Sequence, residues 1–197
     1  MSTASRPRFT MDVLEWHPWL ETVDDVGATS EQAELVGKVA PSPGSRSYYA
    51  LLAHDVPTLR ERTGLFNAIM YGPGGARRSD RELAAVAASL VNGCVYCTSV
   101  HARRYAQLTK DTETTKRLLD DGVETGLAER ERAIVDYAVK LTRDPAALSP
   151  ADVEPLRRAG LSAPEILDVT QAAAMFAWAN RLMQTLGEGV RPDGVPS

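Results

Sequence analysis

A chain of 197 residues, 44% of them apolar, can bury one sizeable core without a disulfide or a metal to hold it. Its net charge of −4, with lysines and arginines interleaved among acids, argues against a nucleic-acid partner. The longest apolar run, 172–179, is far short of the ~18 residues that span a bilayer, and the opening MSTASRPRFT has no apolar signal stretch. No membrane association is expected, and the expected compartment is cytoplasmic and reducing.

The first 44 residues read as an extended arm with one short helix. Within it Trp16 and Trp19 flank His17 and Pro18, and both rings are expected to pack on the core or on a neighbouring subunit. Helices are predicted over 31–40, 45–54, 57–71, 80–92, 95–109, 112–120, 127–142, 150–159 and 163–186. Pro57 and Pro150 suit first turns, Gly122, Gly160 and Gly187 suit stops, and 72–75 is a Gly-Pro-Gly-Gly loop. Alternating β-branched segments are missing, so no sheet is expected and the fold class is all-α. The helical domain is placed at 45–187, with 188–197 as a tail.

Two of these helices open alike. Ser79-Asp80-Arg81-Glu82-Leu83 with Val86 is echoed by Ser162-Ala163-Pro164-Glu165-Ile166 with Val169, which suggests two related helical halves, each opened by a Ser-x-x-Glu capping box. The last helix carries an apolar band too wide for one amphipathic face, as a central helix or one shared between subunits would. Asn180 and Arg181 interrupt that band and are expected to hydrogen-bond across an interface.

The two cysteines of the chain, Cys94 and Cys97, stand three positions apart, and His101 follows one helical turn later. In a reducing compartment such a pair is redox-active or metal-binding more often than structural. If 80–92 and 95–109 form a hairpin turning at Asn92-Gly93, Glu82 and His101 both lie ~12–16 Å below the turn, within hydrogen-bonding reach. Glu82 reads equally well as a helix cap. A helix N-terminus and a nearby imidazole lower a thiol's pKa, and the resulting thiolate can attack a peroxide to give a sulfenic acid. The second thiol then condenses with it to a disulfide, while glutamate and histidine move the proton. Zinc could use Cys94, Cys97 and His101, but a fourth ligand of the usual spacing is missing, so no metal and no cofactor is expected. His17 and His54 read as surface or packing residues, and Arg103 and Arg104 as a solvated or subunit-facing pair.

Glu82, eleven residues, Cys94-Val95-Tyr96-Cys97, three residues and His101 resemble the active-site signature of the AhpD-like alkylhydroperoxidases, within the carboxymuconolactone decarboxylase superfamily. The match is strongest over 79–109, and the long arm resembles the peroxidase-related branch. The resemblance implies an all-helical AhpD-like bundle, a homo-oligomer, and a hydroperoxide substrate. It makes Cys97 the peroxidatic thiol, Cys94 the resolving thiol and proton donor, and Glu82 with His101 the proton relay. An unidentified thiol reductant, thioredoxin-like or lipoyl-type, would restore the dithiol. Tyr96 stands where the best-studied members have a histidine, and it cannot serve as a base near neutral pH, so it is expected to pack or donate one hydrogen bond. The alternatives are a carboxymuconolactone decarboxylase-like enzyme and a non-enzymatic dithiol sensor on an oligomeric helical scaffold.

Overall fold

The computed structural model describes residues 8–40 and 43–192; the remainder of the expected arm and tail lies outside the described residues. In chain order the elements are β1 (Glu15–Pro18), α1 (Val23–Val26), α2 (Ser30–Val39), a 3-10 turn at Pro43–Ser45, α3 (Arg46–Leu52), α4 (Val56–Tyr71) and α5 (Arg78–Asn92). Then come α6 (Val95–Thr109), α7 (Thr112–Asp120), α8 (Glu129–Arg143), a 3-10 turn at Pro145–Ala147, α9 (Pro150–Arg158), α10 (Ala163–Thr185) and β2 (Gly187–Val190).

Alanine decides the centre of this arrangement. Ala84, Ala85, Ala87 and Ala88 of α5 are all fully buried. Their methyl groups keep helix propensity high while taking little room, so α6, α8 and α10 can all close on the same helix. Arg130 of α8 ties the ends of two of them together, donating to Asp80 of α5 at 2.7 Å and to Glu165 of α10 at 3.4 Å. The helix boundaries follow local chemistry. Asp55 accepts from the Thr58 amide (3.0 Å) to cap α4, with Pro57 in its first turn. Gly93, at φ 76°, closes α5 in the left-handed region that a residue without Cβ enters freely, and this sets the tight turn into α6.

Two expectations are corrected here. A sheet does exist: β1 and β2 pair antiparallel, with Trp16 opposite Gly189 and Pro18 opposite Gly187. Its strands are four residues each, lie at opposite ends of the described chain and contain no β-branched alternation, so local periodicity carried no trace of them. The pairing seats Trp16, 1% exposed, in the core, where its indole donates to the Met183 carbonyl (3.0 Å). A Cβ on Gly187 would lie 2.3 Å from that indole, so the strand approaches only because glycine stands there. Trp19 by contrast is 59% exposed, its indole donating to Glu188.

The second correction concerns the paired capping boxes. Glu165 does accept from the Ser162 amide and hydroxyl, both at 2.7 Å. Glu82 caps nothing: α5 begins at Arg78 with Arg77 at the cap, so Ser79 lies inside the first turn and Glu82 one turn further on. Cap against cap, Arg77 corresponds to Ser162, and the sequence echo is two residues out of register.

Candidate active site

Gly93 makes α5 and α6 an antiparallel pair, and the pairing brings Glu82 and His101 face to face. His101 Nδ1 lies 2.5 Å from Glu82 Oε2. The other carboxylate oxygen accepts from Arg78 Nε at 2.8 Å and from its terminal nitrogen as well. Arg78 is itself held over the Tyr71 ring, 3.9 Å from the centroid. Glu82 is fully buried. Burial pushes its carboxyl up, but the His101 imidazole and the Arg78 guanidinium together outweigh this and hold it below the usual carboxylate range. An ionised carboxylate only accepts, so Nδ1 carries the proton and Nε2 is left as the basic atom of the ring. Phe176 of α10 packs edge-on against that ring, centroids 4.1 Å apart.

The dithiol stands one turn above. Cys94 is the N-cap residue of α6 and Cys97 lies in its first turn; both are free thiols, 2% and 3% exposed. Cys97 Sγ is 3.3 Å from Met183 Sδ of α10. The side chain and backbone amide of the neighbouring Cys97 hold the Cys94 thiol below the ordinary thiol range despite its burial. The neighbouring Cys94 thiol, with burial, pushes Cys97 well above it. Asn180 lowers both, and it is bound within its own chain rather than across an interface as expected: it donates to Ser89 Oγ (3.1 Å) and accepts from Asn92 (3.0 Å).

A cavity of about 540 Å³ opens onto this column and is lined by Glu82, His101 and Cys97 but not by Cys94. Its other walls come from the arm (Val13, Leu14), α3 (Tyr48, Tyr49), α4 (Arg62, Phe66) and α10 (Phe176, Met183). Tyr48 and Arg62 escaped the sequence reading because neither has any spacing relation to the dithiol. Asn180 did leave a signal, as a polar break in an apolar band, but local pattern could not say what it faced. Tyr96 packs at 7% exposure and reaches the Gly44 carbonyl at 3.4 Å, in keeping with its expected structural role.

The remaining candidates lie elsewhere. His17 is exposed on β1 beside Glu15, and His54 contacts the Glu21 carbonyl (2.9 Å). Arg103 is half-buried and donates to the carbonyls of Met11 and Asp12, which pins the arm beside the cavity that it lines. Among the described residues no group of three or more His, Cys, Asp or Glu converges as a metal site, and no helix is long and apolar enough to cross a membrane.

Residues 57–140, which include all four members of the column, match the family model described as the carboxymuconolactone decarboxylase family. That segment, with the whole column inside it, is similar to the carboxymuconolactone decarboxylase family. Solved structures share the AhpD-like helical fold across nearly the whole length. One is an alkylhydroperoxidase AhpD core, an uncharacterized peroxidase-related protein from Ralstonia eutropha JMP134, with 22% identity and a TM-score of 0.72, covering 94% of this chain and 93% of that one. A second, an uncharacterized peroxidase-related protein from Silicibacter sp. TM1040, has 24% identity and a TM-score of 0.71, covering 100% and 95%. A third is the debrominase Bmp8, with 18% identity and a TM-score of 0.65, covering 89% and 91%. No curated protein matches the sequence.

Proposed function

We propose that the protein is a thiol-dependent, alkylhydroperoxidase-like peroxidase that works through a Cys94-Cys97 dithiol/disulfide cycle. The observation that carries this reading is the shared wall: Cys97 opens on the same cavity as an imidazole whose Nδ1 is fixed by a buried carboxylate, with a second thiol directly behind. Acidity and access single out different sulfurs, and transfer of one proton between them reconciles the two. Moving the proton from Cys97 to Cys94 leaves a thiolate on the cavity side and a thiol behind it.

Cys97 thiolate then attacks the hydroperoxide. An S–O bond forms as the O–O bond breaks, and the departing alkoxide takes the Cys94 proton to leave as alcohol. The Cys94 thiolate so formed attacks the sulfenic sulfur, an S–S bond forms, and the departing hydroxide takes a proton through His101 to become water. Glu82 holds the imidazole in the tautomer this needs and stabilises it when protonated. Two thiols lose two electrons and the peroxide gains them. An external dithiol, thioredoxin-like or lipoyl-type, returns the site to its starting state by exchange. In the same reading the protein is a homo-oligomer, since Leu167 and Trp178 stand exposed along one side of α10.

Turnover of cumene hydroperoxide with excess dithiothreitol tests the cycle. Cys97→Ser should abolish it, and Cys94→Ser should permit one oxidation event without cycling. Turnover that persists in Cys97→Ser would overturn the assignment of roles. Stoichiometric oxidation of the wild type without cycling would make the dithiol a sensor instead.

A further inference from the structure

The chain as a whole is acidic, with a net charge of −4, yet five basic side chains and one carboxylate line this cavity. Most of the cations are engaged. Arg78 is neutralised by Glu82, Lys38 pairs outward with Glu34, Arg103 holds the arm, and Arg104 bonds Gln107. Arg62 is different. Half-buried on α4, it lies over the Phe66 ring (4.6 Å) and the Tyr49 ring (5.4 Å) and donates to the Tyr49 hydroxyl at 3.3 Å. Among the described residues it has no carboxylate partner, and its Nε is buried without an acceptor.

A second orphan stands beside it. The Tyr48 ring is fixed edge-on between Trp16 and Tyr49, at 5.3 and 5.5 Å, and its hydroxyl is buried with no hydrogen-bond partner. Tyr48 and Arg62 line the same cavity as Cys97, so the three groups face one space. A buried donor without a partner is costly, as is a desolvated cation without an anion, and both costs vanish if a bound molecule supplies the acceptor. The Arg62 charge also lowers the Cys97 thiol, but less than Cys94 and burial together raise it.

We propose that Arg62 and the Tyr48 hydroxyl form an anion subsite that takes the carboxylate of an organic substrate and orients it toward Cys97. The aromatic walls, Tyr49, Phe66 and Phe176, select a planar or bulky apolar body for that carboxylate. A volume of about 540 Å³ suits a small aromatic or branched acid. The inference rests on the peroxidase reading for the identity of the reacting group, which makes the substrate a carboxylate-bearing hydroperoxide. Anion binding itself does not depend on turnover.

The test separates the two. Calorimetric titration of the reduced full chain compares 4-isopropylbenzoate with 4-isopropylbenzamide, which match in shape and differ in charge. The carboxylate should bind ~10–100-fold more tightly, the range of a charge-assisted hydrogen-bonded pair. Arg62→Gln should bring the two ligands to within about twofold. Arg62→Lys should keep a weakened preference because it retains charge but loses the planar fork. Tyr48→Phe, which keeps the ring and its packing, should weaken benzoate alone by ~3–10-fold. With dithiothreitol present, 4-carboxycumene hydroperoxide should exceed cumene hydroperoxide in kcat/KM, and Arg62→Gln should collapse that ratio. Equal binding of acid and amide, or a preference that survives in a folded Arg62→Gln or is unmoved by Tyr48→Phe, overturns the subsite. Benzoate selectivity without turnover of either peroxide supports the subsite and removes the peroxidase reading.

Discussion

Helices α5 and α10 each carry a Ser-x-x-Glu near the start and put it to different uses. In α10 the serine stands outside the helix, and Glu165 reaches back to it as a cap. In α5 the helix begins two residues earlier, so the matching glutamate points inward to His101 and Arg78. A capping pattern is therefore a statement about where a helix starts. When the start moves by two residues, the same carboxylate changes from a terminal hydrogen-bond acceptor into a buried charge able to direct a proton.

The sharpest way to break this contrast is Glu82→Gln. A relay carboxylate lost in this way should cost ~10²–10⁴-fold in kcat for cumene hydroperoxide. A fall of less than about threefold would return Glu82 to a packing role. The same variant should alter acid stability in a predictable sense. The folded Glu82 carboxyl titrates below its unfolded value, so its stabilising contribution is present above ~4.5 and disappears as pH falls through the folded value. Wild type and Glu82→Gln should differ most in denaturant midpoint near neutrality and converge as pH falls through the folded value.

Much of the column was legible in sequence because it depends on short-range geometry. Gly93 supplies the turn, 3.6 residues per turn place His101 under Cys97, and equal distances from the turn put Glu82 at the same depth. The predicted spans 95–109 and 112–120 coincide with α6 and α7, where caps and stops are local. What failed was non-local. The β1–β2 pair joins segments from opposite ends of the chain. Tyr48 and Arg62 reach the cavity from separate helices, and Asn180 faces α5 only because α10 packs there. The loop before α5 also has a non-local partner, because Asp168 of α10 accepts from Arg81 (2.8 Å) and from the Ala76 amide (2.9 Å).

Although its capping glutamate has no part in the column, α10 does supply the site with Asn180, and replacing that residue sharpens the comparison at intermediate cost. Asn180→Ala strands Ser89 and Asn92, one of them fully buried, and should lower stability by ~1–3 kcal/mol. Because the amide lowers both thiols, its removal should also shift the onset of iodoacetamide alkylation to higher pH. An unchanged alkylation profile would mean that Asn180 only braces α5 against α10.

The smallest effect is the most discriminating for the opening contrast. Glu165→Ala removes the acceptor for the Ser162 amide and hydroxyl and a long contact to Arg130, which keeps its shorter bond to Asp80. A first-turn carboxylate and its hydrogen bond together contribute about 1 kcal/mol, or ~2–4 °C in Tm for a chain of this size. Because α10 stays packed through Val169, Ala172 and Phe176, peroxide turnover per folded molecule should remain at the wild-type value. If Glu165→Ala instead lowered kcat as Glu82→Gln does, the start of α10 would be coupled to the column, and the division of labour between the helices would fail.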